Sequence, residues 1–280
     1  MVQLLNRPWR NDLAALAATA DRSVLIVAPY IKHAEATWFC KLLRPGVEVI
    51  TLANIDAEAV STSALDLAAL RCLAEVSPSA KLIALSNLHA KVFVADEKVA
   101  IITSGNLTRA ALDRNLEYGV LLNETGLVRA VRSDMLSFTR LGSQVDTSTI
   151  TALTPLETEL RQARANITGS ATPAAKRRFA EVMRQARPAL ASIQVGNRSA
   201  HAVFGEAIQF ILSRGPQTTK AIQQEVRHLM PTLCDEHEYF MIKGERYGKA
   251  WKRRLRHAQL HLKRKGIVTY NAGARTWELI

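Results

Sequence analysis

The sequence predicts an α/β protein: a sheet flanked by helices, then a basic helical connector, then a small helical domain that ends in a β-hairpin. Three observations lead there. Short β-branched apolar runs alternate with helical stretches through the first 145 residues, the pattern of a sheet covered on both faces. The basic excess lies entirely in the second half. Residues 1–159 hold 15 Lys and Arg against 17 Asp and Glu, a net of −2, whereas residues 160–280 hold 22 against 8, a net of +14. Residues 199–280 read as three helices and then a hairpin.

Val24-Leu-Ile-Val-Ala-Pro29 and Val47-Glu-Val-Ile-Thr-Leu52 are the first two strands expected. Residues 57–76 follow as a helix. Lys81-Leu-Ile-Ala-Leu85, Lys91-Val-Phe-Val-Ala95, Val99-Ala-Ile-Ile102 and Tyr118-Gly-Val-Leu-Leu122 are further strands, with helices over 107–113 and 125–140. A Ser, Thr, Gly and Pro-rich stretch over 142–155 marks a boundary. Residues 156–192 are helical and basic, interrupted at Gly169-Ser-Ala-Thr-Pro173. In the final domain, helices are expected over Ala200–Ser213, Thr218–Leu229 and Gly248–Lys265. Strands Ile267-Val-Thr-Tyr270 and Thr276-Trp-Glu-Leu-Ile280 flank a turn at Asn271-Ala-Gly-Ala274. The expected division is 1–150, a connector over 151–198, and 199–280.

With 280 residues, 48% of them hydrophobic, the chain can bury about two cores. No apolar run approaches the ~20 residues that span a bilayer, and the N-terminal residues show no secretory pattern. Cys40, Cys72 and Cys234 are odd in number and far apart in sequence. Reduced thiols and a cytoplasmic setting are expected. A half with a net charge of +14 suits a polyanion. Nucleic acid fits better than membrane, because no basic helix keeps a bulky apolar face free for lipid.

The chemistry concentrates in one pattern. His89-Ala-Lys91 is followed five residues later by Asp96, then after six more residues by Thr103-Ser-Gly-Asn106, and nine residues after Asn106 by Asn115-Leu-Glu117. Positions i and i+2 of a strand share a face, so His89 and Lys91 project together. The turn after the next strand brings in Ser104 and Asn106, whose short polar side chains can donate to phosphate oxygens. Glu117 can accept a proton from the second nitrogen of His89, which leaves the other nitrogen free to attack. Lys91 and Asn106 can stabilise charge that develops on phosphorus-bound oxygens. Asp96, followed by Glu97-Lys98 between strands, reads as a turn residue with a structural, supporting role. Asn115 is a second supporting residue.

These spacings resemble the phospholipase D superfamily over residues 20–140, and within it the single-motif nucleases, including metal-independent restriction endonucleases. The resemblance assigns the nucleophile to His89, phosphate binding to Lys91, Ser104 and Asn106, and the histidine-orienting acid to Glu117. Thr103 departs from the family, where glycine is commoner. A two-histidine mechanism needs a second copy of the motif, and His33, His201, His228, His237, His257 and His261 lack its context. The resemblance therefore implies a homodimer with one composite site, a phosphohistidine intermediate and no metal or cofactor.

In the final domain, a helical wheel of about 100° per residue puts Trp251, Leu255, Ala258 and Leu262 in a narrow buried arc. Lys249, Lys252, Arg253, Arg256, Lys263 and Arg264 fall opposite, with Leu260 among them. This face is expected to enter a groove of double-stranded DNA, with Leu260 against a base or sugar. Three helices and a hairpin are the order of a winged helix, and the segment from Trp251 that ends in Arg275-Thr-Trp-Glu-Leu279 carries a resemblance, over roughly the whole final domain, to the N-terminal winged-helix module of Mrr-type restriction proteins. Trp251 and Trp277 are expected in its core, and the resemblance makes methylated DNA a candidate target. Cys234-x2-His237 and His257-x3-His261 have zinc-like spacing, but the helix already accounts for the two histidines, and no metal is expected. The leading reading is a metal-independent DNA endonuclease of restriction type. A lipid phosphodiesterase of the phospholipase D type and a non-catalytic DNA-binding protein are the alternatives.

Overall fold

Val24 and Ile26 point to one face of their strand and Leu25 and Val27 to the other, and all four are fully buried. Helices must therefore cover both sides of the sheet. The computed structural model describes residues 2–6, 8–167 and 171–280. Two compact units divide the chain, residues 1–194 and 195–280.

In chain order the first unit contains β1 (Val2–Leu5), α1 (Arg10–Thr19), β2 (Ser23–Val27), α2 (His33–Cys40), β3 (Glu48–Ala53), α3 (Ala57–Ser61) and α4 (Leu67–Glu75). Then come β4 (Lys81–Ala84), β5 (Val92–Ala95), β6 (Val99–Thr103), α5 (Arg109–Asp113), β7 (Gly119–Leu122), α6 (Thr125–Ser137), β8 (Ser143–Gln144), α7 (Thr147–Ala165) and α8 (Pro173–Val195). The eight strands form one sheet in the order β1-β7-β6-β5-β2-β3-β4-β8. β2, β3 and β4 run parallel, and β5 lies antiparallel between β2 and β6. One large cluster packs Trp9, Leu13 and Leu16 of the N-terminal region with Phe39, Leu70, Phe93 and Ile101. The mixed α/β architecture with a central sheet flanked by helices is the one the alternating runs predict.

Several elements differ from expectation. The helix expected over 57–76 stops after Ser61 and restarts at Leu67. Ser63 adopts a left-handed φ of 57°. The Asp66 carboxylate accepts from Lys32 Nζ at 2.7 Å, Arg161 at 2.7 Å and the His33 amide at 3.0 Å. Those three donors pin the turn open. The expected connector consists mainly of α7 and α8, which place Ile150, Leu160, Val182, Met183 and Leu190 in the same core cluster as the sheet. Lys176, Arg177, Arg178, Arg184 and Arg187 lie on the exposed face of α8, which belongs to the first unit, whereas Arg161 of α7 turns to Asp66. Gly169 and Ser170 of the expected break lie outside the described residues. Cys40 and Cys72, distant in sequence, bring their sulfurs to 3.8 Å. Burial and the neighbouring Cys72 push the Cys40 thiol up to about 12.

The second unit contains α9 (Ala200–Leu212), β9 (Gln217–Thr218), α10 (Thr219–Leu229), β10 (Tyr239–Ile242), β11 (Glu245–Lys249), α11 (Ala250–Arg264), β12 (Val268–Asn271) and β13 (Thr276–Leu279). β12 and β13 form the expected hairpin, and β9 pairs with β13 to complete a three-stranded sheet. Trp251 and Trp277 are buried, at 1% and 9% exposure. The hairpin β10–β11, between the second and third helices, was not expected. Its turn, Lys243-Gly244, has both residues at positive φ, the requirement of a tight two-residue hairpin. Among the described residues no helix is long and apolar enough to cross a membrane.

Candidate active site

Strand direction gathers the site. β5 is antiparallel to both β2 and β6, and β7 is antiparallel to β6. The end of β2, the approach to β5, the end of β6 and the approach to β7 therefore meet at one end of the sheet. Backbone bonds tie these segments together. The Thr103 amide donates to the Lys91 carbonyl at 3.1 Å, the Ser104 amide to the Tyr118 carbonyl at 3.0 Å, and the Lys32 amide to the Leu107 carbonyl at 3.0 Å.

His89 and Lys91 lie just before β5 rather than within it, yet the extended spacing still brings them together. His89 is exposed. Lys91 is 7% exposed, so its stem is buried. Its Nζ donates to the His89 carbonyl at 2.7 Å and stands 3.1 Å from Nδ1 and 3.2 Å from Nε2 of the ring. Burial pulls the Lys91 ammonium below its usual range, and the charge of Glu117 offsets part of that shift. An imidazole and an ammonium thus share one small surface, where an anion can touch both.

The partners of Ser104 and Glu117 correct the sequence reading. Ser104 Oγ donates to Glu117 Oε2 at 2.5 Å and accepts the Tyr118 amide at 3.0 Å. The other carboxylate oxygen accepts from Asn115 Nδ2 at 3.1 Å. Glu117 therefore holds the loop residues Ser104 and Asn115 rather than the His89 ring, and the Ser104 proton is directed to Glu117 rather than outward. Thr103, where the family favours glycine, accepts the Gly105 amide on Oγ1 at 3.2 Å. Its hydroxyl braces the loop.

Asn106 is oriented by the backbone of the loop after β2. Its Oδ1 accepts the Tyr30 amide at 3.2 Å, which leaves the Nδ2 end as the donor for a ligand. Asn106 also lines an open cleft of about 420 Å³ with Tyr30, Arg109 and Arg114. Trp9 supports the same loop. A Cβ on Gly105 would stand 2.9 Å from its ring, and the indole is fixed by a 2.8 Å bond to the Ala111 carbonyl. Sequence reasoning missed Trp9 and Tyr30, because both come from segments far from the motif. The lone Trp next to Pro8, ahead of the first expected strand at Val24, was the available signal.

Asp96 is separate from this site. It follows β5 at the far end from His89, and accepts the amides of Asp21, Arg22 and Ser23 at 2.9, 3.0 and 2.8 Å. Burial pushes its carboxyl up, but the three amide donors and Lys98 outweigh that and hold it below the usual range. Its role is to anchor the start of β2.

In the second unit, Lys252, Arg253, Arg256, Leu260, Lys263 and Arg264 are exposed along α11. Lys249 differs. Its Nζ is held by the Glu236 carbonyl and the Tyr239 hydroxyl, which commits it to the fold. Arg253 lies 3.3 Å from the centre of the Phe240 ring. His261 packs edge-on against His201 at 5.0 Å. Among the described residues no group of three or more His, Cys, Asp or Glu could hold a metal ion.

Residues 13–138, somewhat less than half of the chain, match the family model described as "Cardiolipin synthase, PLD-like domain". No curated protein matches the chain. Similar solved structures include NucT from Helicobacter pylori, at 16% identity and a TM-score of 0.44, over 52% of this chain and 98% of that one. The phospholipase D family member Nuc from Salmonella typhimurium has 20% identity and a TM-score of 0.43, over 52% and 99%. The archaeal chromatin protein TrmBL2 has 14% identity and a TM-score of 0.40, over 52% and 55%.

Proposed function

We propose that the protein is a metal-independent endonuclease that hydrolyses phosphodiesters in double-stranded DNA, as a homodimer with one composite site. The observation that carries this reading is the His89–Lys91 pair, with Nζ 3.1 and 3.2 Å from the ring nitrogens, in a phospholipase D-like domain that holds one such pair. A lysine and an amide beside an imidazole supply the charge stabilisation that a divalent ion supplies elsewhere.

In the proposed reaction a ring nitrogen of His89 attacks phosphorus. A P–N bond forms, the P–O bond to one DNA strand breaks, and the partner's His89 gives a proton to the leaving oxygen. The partner's His89, now neutral, takes a proton from water as that water attacks phosphorus. The P–N bond breaks, and a phosphate monoester and free His89 result. Lys91 and Asn106 bind the non-bridging oxygens. Glu117 keeps the Ser104–Asn106 loop in place and balances the charge of Lys91.

Leu116 is fully exposed beside Glu117, and Tyr118, Val2 and Leu4 are exposed at 58%, 54% and 56%. β1 pairs with β7 so that Leu4 faces Val120 and Val2 faces Leu122. Tyr118 extends the same face. This apolar strip beside the site is the surface assigned to the second copy. The second unit, with 15 Lys and Arg against 7 Asp and Glu, is assigned to DNA binding through α11 in winged-helix fashion. The proposed biological role is restriction, with modified DNA as the target class.

The test is incubation with duplex DNA in EDTA. Cleavage is expected, and the His89→Ala variant should lose at least about a thousandfold in rate. A His89→Ala variant that still cuts removes His89 as nucleophile. Hydrolysis of phospholipid vesicles without DNA cleavage would establish the lipid alternative. Matched duplexes with and without methylated adenine or cytosine test the target class.

A further inference from the structure

The second unit carries a groove of about 890 Å³ that the DNA-binding face of α11 does not by itself explain. It lies between the hairpin β10–β11, one flank of α11 and the hairpin β12–β13. Phe240, Tyr247, Tyr270 and Trp277 line it. Tyr247 and Tyr270 are exposed, at 61% and 37%, and Tyr270 packs on Trp277 with ring centres 5.1 Å apart. Four aromatic rings around one opening are more than a small helical unit needs for its core. Trp251, Phe204 and Leu255 already fill that core at 1% exposure or less.

Gln259 gives the groove its chemistry. It sits in the buried stripe of α11 beside Leu255 and Leu262, is 2% exposed, and lines the groove. Its Nε2 has no hydrogen-bond partner. Buried polar groups are nearly always satisfied, so a lone buried donor is evidence of a missing acceptor. A ligand with an acceptor edge that enters between the aromatic rings of the groove can supply it.

The rim states what the ligand is attached to. Lys252, Arg253 and Arg256 line the same groove. The Arg253 guanidinium is stacked on Phe240, which fixes its plane at the mouth. Aromatic rings along the walls, cations at the rim and the unpartnered Gln259 amide suit a nucleobase that carries its phosphate at the opening. A base stacked in a duplex cannot reach this depth, so the base must leave the stack. Leu260, 43% exposed at the rim, is placed to fill the gap it leaves.

We infer that the groove between the two hairpins and α11 is a pocket for one unstacked nucleobase, read by the Gln259 amide. The inference rests on the DNA-binding role proposed for this unit, and it adds the element that reads sequence or base modification. A ring nitrogen or carbonyl oxygen of the base supplies the acceptor for Nε2.

The test uses the full chain and two duplexes of the same sequence. In one, a 2-aminopurine faces an abasic site and is free to leave the stack; in the other it is paired. Binding of the unpaired-base duplex is expected to be about tenfold tighter, as expected from one added stacking contact, with a change in 2-aminopurine fluorescence. Gln259→Met keeps the volume and removes the donor, and Tyr247→Ala removes an exposed ring that the fold does not need. Each should bring the affinity ratio close to one, with the circular dichroism of the wild type. Equal binding of the two duplexes by the wild-type protein overturns the pocket and leaves the DNA-binding role standing. So does a ratio that survives both substitutions. Binding to neither duplex overturns both.

Discussion

At the end of β5 away from His89, the Asp96 carboxylate accepts three amides and is 2% exposed. Asp96→Ala leaves those donors buried without an acceptor, so stability should fall by about 3 kcal/mol or more in urea unfolding, while cleavage per folded molecule persists. The pH dependence has a fixed sign. The folded-state pKa of Asp96 is lowered, so its contribution is present above the unfolded value of about pH 4. It is lost as pH falls through the lower folded value. Acid unfolding of the Asp96→Ala variant should therefore be less steep than that of the wild type in that window. The motif spacing made the nearness of His89 and Lys91 legible, because residues two apart in an extended chain share a face. It did not reveal that Glu117 serves Ser104 and Asn115, since polar groups from two segments 13 residues apart can pair in several ways. The choice here follows from the Ser104–Tyr118 backbone contact.

Among the elements, β6 and β7 hold the site loops, and their closeness depends on Gly119. A Cβ there would stand 2.4 Å from the Ile102 carbonyl oxygen and 2.9 Å from Thr103 Cα, so Gly119→Ala must push the two strands apart. The expected result is about 2–3 kcal/mol of lost stability and a fall in cleavage even below the melting temperature. Thermal unfolding and rates at low temperature measure the two effects. Helix α11 predicts a different outcome. Arg256 is exposed on its basic face, so Arg256→Ala should weaken DNA binding across sequences and reduce the slope of log affinity against log salt by about 1. An unchanged slope would remove Arg256 from the phosphate contacts. The strongly periodic α9, α10 and α11 were legible to within two residues at each end. β1, α1 and α2 were not, because β1 has only four residues and the two helices are short and rich in Ala, which marks neither face. The hairpin β10–β11 escaped notice because Lys-Gly is a weaker turn signal than Asn-Gly.

For the whole molecule, the charge division seen in the sequence survives, but its partition changes. α7 and α8 bury their apolar stripes with the sheet, so their basic residues belong to the same unit as His89 and Lys91. The proposed phosphodiester chemistry requires two imidazoles, and each chain offers one His89–Lys91 pair. A two-fold axis is the simplest way to supply both, and it brings a residue near the axis close to its own copy. Leu116 is fully exposed one residue from Glu117 and two from the exposed Tyr118, in the apolar strip proposed for the second chain. Leu116→Asp would place two like charges across such an axis and expose no new cavity, so the fold should persist. Sedimentation should then show monomers at concentrations where the wild type is dimeric, and cleavage should fall at least about a hundredfold. Raising the protein concentration should recover part of the rate, because mass action restores the pair. A variant that sediments as a monomer and cuts DNA at the wild-type rate would mean that one imidazole performs both proton and phosphoryl transfer, and the composite site would have to be abandoned.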